Sequence, residues 1–279
     1  ARLVATIPSG STTSPAQPAC ITDPVTGLYD CGNWSVTATW PIPANAVSGV
    51  YFAKALPNGQ ALNINNGSHI AWVVRDDARQ SDILFQTQDT TWQAYNRYGT
   101  GSLYAWLGPG TSPGLNPDRA HKVSYNRPIT TREYAPEDWV FNSEYPMIRW
   151  LERNGYDVTY ISGVDAHRYP AELLDPTILL FIGHDEYWSQ AQRDNVEAAL
   201  AAGKHLAFFT GNEIFWRIRY ENSIDGNNTP LRTMVGYKDS HNDEIWPEGI
   251  DPVDYTGTWR DPRIDDWEPD PENRLVGQI

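Results

Sequence analysis

Residues 177–210 read TILLFIGHDEYWSQAQRDNVEAALAAGKHLAFFT, and this stretch determines the predicted fold. The apolar run Thr177–Gly183 is typical of a strand that is covered on both faces. Ser189 and Gln192 then form a capping box at the start of a helix. A second buried run, His205–Thr210, follows that helix. The stretch therefore predicts a right-handed parallel strand–helix–strand unit, with Thr177–Gly183 near the centre of the sheet.

Two further strands and a helix precede that unit. Ile83–Gln88 and Tyr156–Ile161 have strand character, and Pro146–Asn154 is predicted to be a helix that ends at Gly155. This alternation of strands and helices predicts an α/β domain over residues 79–279. We expect a mostly parallel sheet with helices on both faces.

Residues 1–78 have a different pattern. Short apolar or alternating runs are separated by Pro, Gly and Asn clusters, which is the spacing expected of antiparallel strands in a sandwich. The runs are Arg2–Ile7, Trp34–Trp40, Gly49–Ala55 and His69–Val74. The sequence therefore predicts a β-sandwich-like N-terminal region before the α/β domain, as part of a longer polypeptide.

Composition and charge restrict the possible partners. The chain has 279 residues, of which 40% are hydrophobic, and a net charge of −14. It has material for a packed interior, but its charge repels phosphate backbones and anionic lipid surfaces. We therefore expect no nucleic-acid partner. We also expect no membrane insertion, because the apolar runs are far shorter than the roughly 20 residues that cross a bilayer.

Cys20 and Cys31 are the only cysteines, and they lie in a Pro-, Thr- and Gly-rich stretch. A disulfide between them would close a short loop in an oxidising compartment. This interpretation predicts an extracellular or cell-surface location. Two independent buried thiols are the alternative.

Polar side chains cluster in the loops that follow the predicted strands. In open parallel sheets, ligands bind beyond the carboxyl ends of the strands. The loop His184–Glu186 places an imidazole and two carboxylates after Thr177–Gly183, either for function or to cap the next helix. Asn212 follows the last strand and is either a pocket residue or an ordinary turn residue. These loops are the candidate site.

Five sequence blocks occur in consistent order between Gly49 and Trp216. They are AYN around Tyr95, SYNRP around Tyr125, PMIRWL through GYDV at 146–158, GHDEYWS at 183–189 and GNE at 211–213. In this strand and helix context, the blocks resemble the N,N-dimethylformamidase large-subunit family. Without the resemblance, each of the two tyrosines would be interpreted as a buried aromatic residue.

The resemblance implies a glutamine-amidotransferase-like α/β domain that hydrolyses the C–N bond of a small linear amide. It also implies a mononuclear ferric iron bound by Tyr95, Tyr125 and Glu186, with His184 and Asn212 as polar pocket residues. Phenolate and carboxylate are hard oxygen ligands that suit ferric iron, which can polarise a carbonyl and activate water. In this hypothesis His184 moves a proton or orients water, and Asn212 donates to the carbonyl or oxyanion.

Two other functions are alternatives to the hydrolase. A degenerate amidohydrolase domain retained at a cell surface for binding or assembly would also have a β-rich N-terminal region and a disulfide. The presence of Tyr95, Tyr125 and Glu186 favours the enzyme over this module. A cysteine hydrolase is excluded, because neither cysteine follows a core strand at a nucleophile turn. Assembly as a homo-oligomer, or with other domains of a longer chain, is compatible with both remaining interpretations.

Overall fold

A computed structural model describes residues 2–7, 16–56, 60, 67–104, 119–130, 139–142, 144–246, 255–261 and 270–277. The strands in these ranges are β1 (Ile21–Asp23), β2 (Leu28–Asp30), β3 (Gly49–Ala55), β4 (Ser68–Val74), β5 (Ile83–Thr87), β6 (Lys122–Ser124), β7 (Val158–Ser162), β8 (Ile178–Gly183), β9 (Tyr187–Ser189), β10 (His205–Thr210), β11 (Trp216–Glu221), β12 (Thr233–Val235) and β13 (Gly257–Thr258). The α-helices are α1 (Asp89–Tyr95), α2 (Tyr145–Arg153), α3 (Gly163–Arg168), α4 (Gln190–Ala201) and α5 (Asn273–Val276). Short 3₁₀ helices cover Tyr98–Thr100, Pro170–Leu174 and Ser240–Asn242.

The predicted parallel sheet is confirmed. Its strand order is β10-β8-β5-β7, and each neighbouring pair is parallel. The strand β8 is therefore an interior strand, as its continuous apolar run predicts. The unit β8–α4–β10 is the predicted crossover, and Ser189 Oγ accepts a hydrogen bond from the backbone of Gln192 at the start of α4.

Helices lie on both faces of this sheet. On one face, Leu179 and Phe181 of β8 pack against Ala166 of α3 and Val196 of α4. On the other face, α2 packs against β5 and β7, and the β3–β4 hairpin contributes further apolar contacts. The face that packs against α2 is covered only in part, because α2 lies over one side of it. On this face, the half of the sheet formed by β8 and β10 borders an open groove.

A second sheet, which the sequence analysis did not predict, adjoins the first. Its order is β13-β11-β12-β6, with β9 also paired to β11. The pair β9–β11 is parallel, whereas the other pairs are antiparallel. Because β9 directly follows the loop after β8, that loop connects the two sheets. The second sheet therefore adjoins the parallel sheet at the carboxyl end of β8.

The N-terminal region differs from the predicted sandwich. In its described part, β3 pairs with β4 and β1 pairs with β2, so two separate antiparallel hairpins are present. The predicted strands Arg2–Ile7 and Trp34–Trp40 are wrong, since neither segment is in a strand. Leu3 is 71% exposed and Val36 is 78% exposed. An alternating run forms a strand only where another backbone can pair with its N–H and C=O groups.

Cys20 and Cys31 form the predicted disulfide, with sulfur atoms 2.04 Å apart. The bond joins the residue before β1 to the residue after β2 and so closes the first hairpin. A disulfide is compatible with an extracellular location. Within the described ranges, none of the helices is both long and apolar enough to cross a bilayer.

Candidate functional site

The loops after β5, β8 and β10 meet at the carboxyl edge of the parallel sheet. Tyr95 ends α1, which follows β5, whereas Glu186 lies between β8 and β9. The Tyr95 hydroxyl donates to Glu186 Oε2 at 3.1 Å, and His184 Nε2 lies 3.6 Å from the same oxygen. Asn212, after β10, places its Nδ2 atom 3.1 Å from His184 Nε2. Four of the five predicted site residues therefore form one contiguous group.

Glu186 is held in place by contacts at several of its atoms. The residue is 4% exposed, and its backbone N–H donates to Thr91 Oγ1 at 3.1 Å. Its carboxylate atom Oε1 accepts a hydrogen bond from Trp216 Nε1 at 3.0 Å. Donors that face a buried carboxylate compensate for its lost hydration and fix its orientation. The side chain is thus a rigid anionic centre at the junction of the two sheets.

Tyr104 belongs to the group although the sequence analysis missed it. Its hydroxyl donates to Glu186 Oε2 at 2.7 Å, and its ring stacks on Tyr95 with 4.2 Å between the ring centroids. The Tyr187 hydroxyl in turn donates to the Tyr104 oxygen at 2.6 Å. Burial, followed by the nearby Glu186 carboxylate, raises the pKa of Tyr104 above its ordinary value. No predicted strand ends before Tyr104, so the strand-end rule gave no signal for it.

Tyr125 lies in a neighbouring group. Its hydroxyl donates to Asp89 Oδ2 at 2.9 Å, and the backbone N–H of Gly163 donates to Asp89 Oδ1 at 2.5 Å. Asp89 and Tyr95 are the first and last residues of α1, and a separation of six residues is roughly 9 Å along a helix axis. The phenol that shares the Glu186 carboxylate with Tyr95 is therefore that of Tyr104, whereas Tyr125 contacts Asp89.

Lys238 places a cation beside the phenols, and no sequence motif indicated it. Its Nζ atom lies 3.3 Å from the ring centroid of Tyr104 and 4.9 Å from that of Trp216. Its backbone φ of 58° is in the left-handed region, which is strained for a lysine. Burial lowers the pKa of Lys238 to about 7, although the Glu186 carboxylate opposes this shift. Local strain and a perturbed pKa are both typical of functional sites.

The model of the family "N,N-dimethylformamidase beta subunit-like, C-terminal" matches residues 1–279. The chain belongs to this family. The match confirms the resemblance that the five sequence blocks indicated. Among curated proteins, no match to the chain is found. Membership of a dimethylformamidase-like family indicates an amide hydrolase.

The donor atoms of this dimethylformamidase-like chain suit a hard cation. In the part of the chain that the structure describes, no three His, Cys, Asp or Glu side chains are grouped to hold a metal ion. A metal ion at Glu186 would therefore depend on the phenol oxygens of Tyr95 and Tyr104. Phenolate and carboxylate are hard, anionic ligands that favour a cation such as ferric iron. The donor set present thus fits the iron that the resemblance implies.

Proposed function

We propose that the chain hydrolyses the C–N bond of a small linear amide at Tyr95, Tyr104 and Glu186, with a mononuclear ferric ion as cofactor. The supporting observation is that both phenol hydroxyls converge on Glu186 Oε2, at 3.1 Å and 2.7 Å. Two phenolates and one carboxylate would balance the charge of a trivalent cation. When bound, the iron supplies a Lewis acid that polarises an amide carbonyl and makes water easier to deprotonate.

His184 is the proposed proton acceptor. The Asn212 amide is oriented with its NH₂ group, a donor, toward His184 Nε2 at 3.1 Å. In the neutral ring, Nε2 then accepts and the ring proton is on Nδ1, an assignment that follows from the amide orientation. Nε2 also lies 3.6 Å from Glu186 Oε2, so the base adjoins the proposed metal ligands. His184 can take a proton from water at Nε2 once the Asn212 N–H releases this lone pair.

Asn212 and Lys238 are the proposed electrostatic partners of the reacting amide. Asn212 has a φ of 50°, in the left-handed region that asparagine tolerates better than most residues, and its side-chain amide contacts His184. The Lys238 ammonium, placed over the Tyr104 ring, can stabilise negative charge that develops on the amide oxygen. The protonated form of Lys238 can also donate a proton to the leaving nitrogen.

Two phenylalanine variants test the ligand set. Tyr104→Phe keeps the ring that stacks on Tyr95 but removes the hydroxyl that reaches Glu186. Tyr125→Phe removes the hydroxyl that reaches Asp89 and is the matched control. We expect Tyr104→Phe to lower iron content and formamide turnover by about tenfold or more. Loss of even a residue that only hydrogen-bonds to a metal ligand typically lowers metal affinity or activity by at least that factor. Elemental analysis, phenolate-to-iron absorption and amine release measure these quantities.

The outcomes distinguish three cases. If Tyr125→Phe retains iron and turnover while Tyr104→Phe loses both, the proposed ligand set is supported. The reverse pattern would support Tyr125 as the ligand, as the resemblance implies. A folded wild-type chain that neither binds iron nor releases amine from formamides would contradict the proposal and favour the non-catalytic module.

A further inference from the structure

An apolar groove lies on the sheet face opposite α3 and α4. It has a volume of about 620 Å³ and runs between α2 and the edge strand β10. Leu180 and Ile182 of β8 form part of its floor, Phe209 lies on its β10 side, and Trp150 lies on its α2 side. Phe209 is 62% exposed and Trp150 is 50% exposed. The groove is therefore open to solvent along both sides.

The side chains around the groove are those that protein interfaces favour. Trp150 stacks on Tyr156 with 5.1 Å between ring centroids, and Tyr156 is itself 48% exposed. Met147 and Leu151 complete the α2 wall. Trp, Tyr, Phe, Met and Arg are enriched in the core of protein–protein interfaces, and Trp, Tyr and Arg are enriched among the residues that contribute most to the affinity. Composition thus indicates a protein partner.

The charges beside the groove are positive, although the chain carries a net charge of −14. Arg149 and Arg153 are exposed residues of α2 and lie at helical spacing from the groove residues Pro146 and Trp150. Within the described ranges, neither of these cations has an ion-pair partner. The acids near them are directed elsewhere, since Glu152 accepts from the Tyr160 hydroxyl and Asp157 pairs with Arg79. A partner with negative charge would therefore be favoured.

The dimensions of the groove indicate the shape of that partner. The part of the sheet beside α2 is two strands wide, or about 10 Å, which is the diameter of an α-helix. The six residues of β8 extend for about 20 Å, the length of a helix of about 13 residues. Helices normally cover both faces of a parallel sheet.

We propose that this groove binds an acidic amphipathic helix of a partner protein. The apolar side of the helix packs on Phe209 and Trp150, and its acidic residues face Arg149 and Arg153. This binding mode is the insertion of a helix into an apolar groove, with anchors at every third or fourth position. The proposal concerns a surface of the chain that is separate from the Glu186 group and does not depend on catalysis.

Two labelled peptides of about 14 residues test the proposal in the full chain. Both are helix-stapled and carry Leu at positions i, i+3, i+4 and i+7, while the other positions contain Gln with either Glu or Lys. Fluorescence anisotropy measures their binding. We expect the Glu peptide to bind about tenfold more tightly at low ionic strength, and this preference should shrink as salt is added.

Three variants locate the binding. Phe209→Ser should weaken the binding of both peptides, and the double substitution Arg149→Glu with Arg153→Glu should reverse the charge preference. Leu200→Ser is the matched control, because Leu200 is 45% exposed on α4, on the opposite face of the sheet. Its binding should equal that of the wild type. Circular dichroism confirms that each variant is folded.

Three results would overturn the proposal. The first is equal binding of the Glu and Lys peptides, and the second is binding that Phe209→Ser leaves unchanged. The third comes from sedimentation of the chain alone. A concentration-dependent dimer that Phe209→Ser dissociates would assign the groove to a second copy of the chain instead.

Discussion

Asp89 is a buried carboxyl group whose protonation is coupled to folding. It is 6% exposed, and its oxygens accept hydrogen bonds from the Gly163 backbone and the Tyr125 hydroxyl. These bonds favour the carboxylate, but the loss of hydration is the larger effect and raises the pKa of Asp89 to about 6. In the unfolded chain this pKa is near 4. The folded state therefore holds the proton more tightly, and this group lowers stability as the pH rises from about 4 to about 6.

We expect the substitution Asp89→Asn to remove this pH dependence. A pKa difference of about two units corresponds to about 3 kcal/mol, so the variant should gain up to that much stability over wild type between about pH 4 and pH 7. The gain is reduced because a negative charge in the first turn of α1 is favourable. Urea unfolding of both proteins across this pH range measures the difference. A difference that stays constant with pH would exclude Asp89 as its source.

Tyr104 and Lys238 show why part of the site could not be predicted from the sequence. His184, Glu186 and Asn212 are predictable because each follows a parallel strand and such loops meet at one edge, whereas Tyr95 is indicated by the resemblance of its sequence block. Tyr104 follows a 3₁₀ turn and Lys238 follows β12, a strand of three residues in the unpredicted sheet. Their positions depend on how two sheets pack together, and no local pattern specifies this packing.

The helix α4 depends on Ser189, which has two hydrogen-bonding roles. Its Oγ atom accepts from the Gln192 backbone at 3.2 Å and lies 2.7 Å from His167 Nδ1. Ser189→Ala removes the N-cap, which costs about 1 kcal/mol, and leaves the half-buried His167 without this bond, which costs about another 1 kcal/mol. We expect the free energy of unfolding to fall by roughly 2 kcal/mol, measured with urea.

A neighbouring substitution is the control for the cap. Gln190→Ala removes only an exposed hydrogen bond to Asp194 and should change the free energy of unfolding by less than about 0.5 kcal/mol. Equal effects of Gln190→Ala and Ser189→Ala would show that the cap does not stabilise α4.

The sequence predicts well those elements whose ends are marked by their own residues. The helix α4 has a cap at its start, and β8 is apolar along its whole length, so the predicted start of α4 and both predicted ends of β8 lie within a residue of the observed positions. Arg2–Ile7 and Trp34–Trp40 have strand-like residues, but pairing is a property of two segments and neither found a partner. The strands β6 and β12 have three residues each, which is too short for an alternating pattern to be recognised.

At the scale of the whole molecule, the candidate site is produced by the junction of the two sheets. The strand β8 ends at Gly183, and after three intervening residues β9 pairs with β11 of the second sheet. His184 and Glu186 lie within this connection, so neither sheet alone forms the group. The backbone N–H of Trp216, at the start of β11, donates to the Glu186 carbonyl at 2.8 Å. The position of Glu186 is therefore fixed by the docking of one sheet on the other.

The Cys20–Cys31 disulfide lies outside this junction, although its hairpin reaches the chain beside Tyr125. The backbone N–H of Cys31 donates to the carbonyl of Asn126 at 3.1 Å. The cysteines are 11 residues apart in sequence, and a loop of that size contributes about 3 kcal/mol by restricting the unfolded chain. We expect replacement of both cysteines by serine to lower the free energy of unfolding by up to that amount.

The same double variant tests the location of the metal ligands. Since the hairpin contacts Asn126 rather than the Glu186 group, iron content should be unchanged if Tyr104 is the second phenol ligand. It should fall if the ligand is Tyr125, whose segment the hairpin supports. Thiol titration of the denatured, unreduced wild-type protein is the accompanying measurement, and we expect no reactive thiol. Two reactive thiols per chain would show that the disulfide does not form, and the inference of an oxidising compartment would then have no basis.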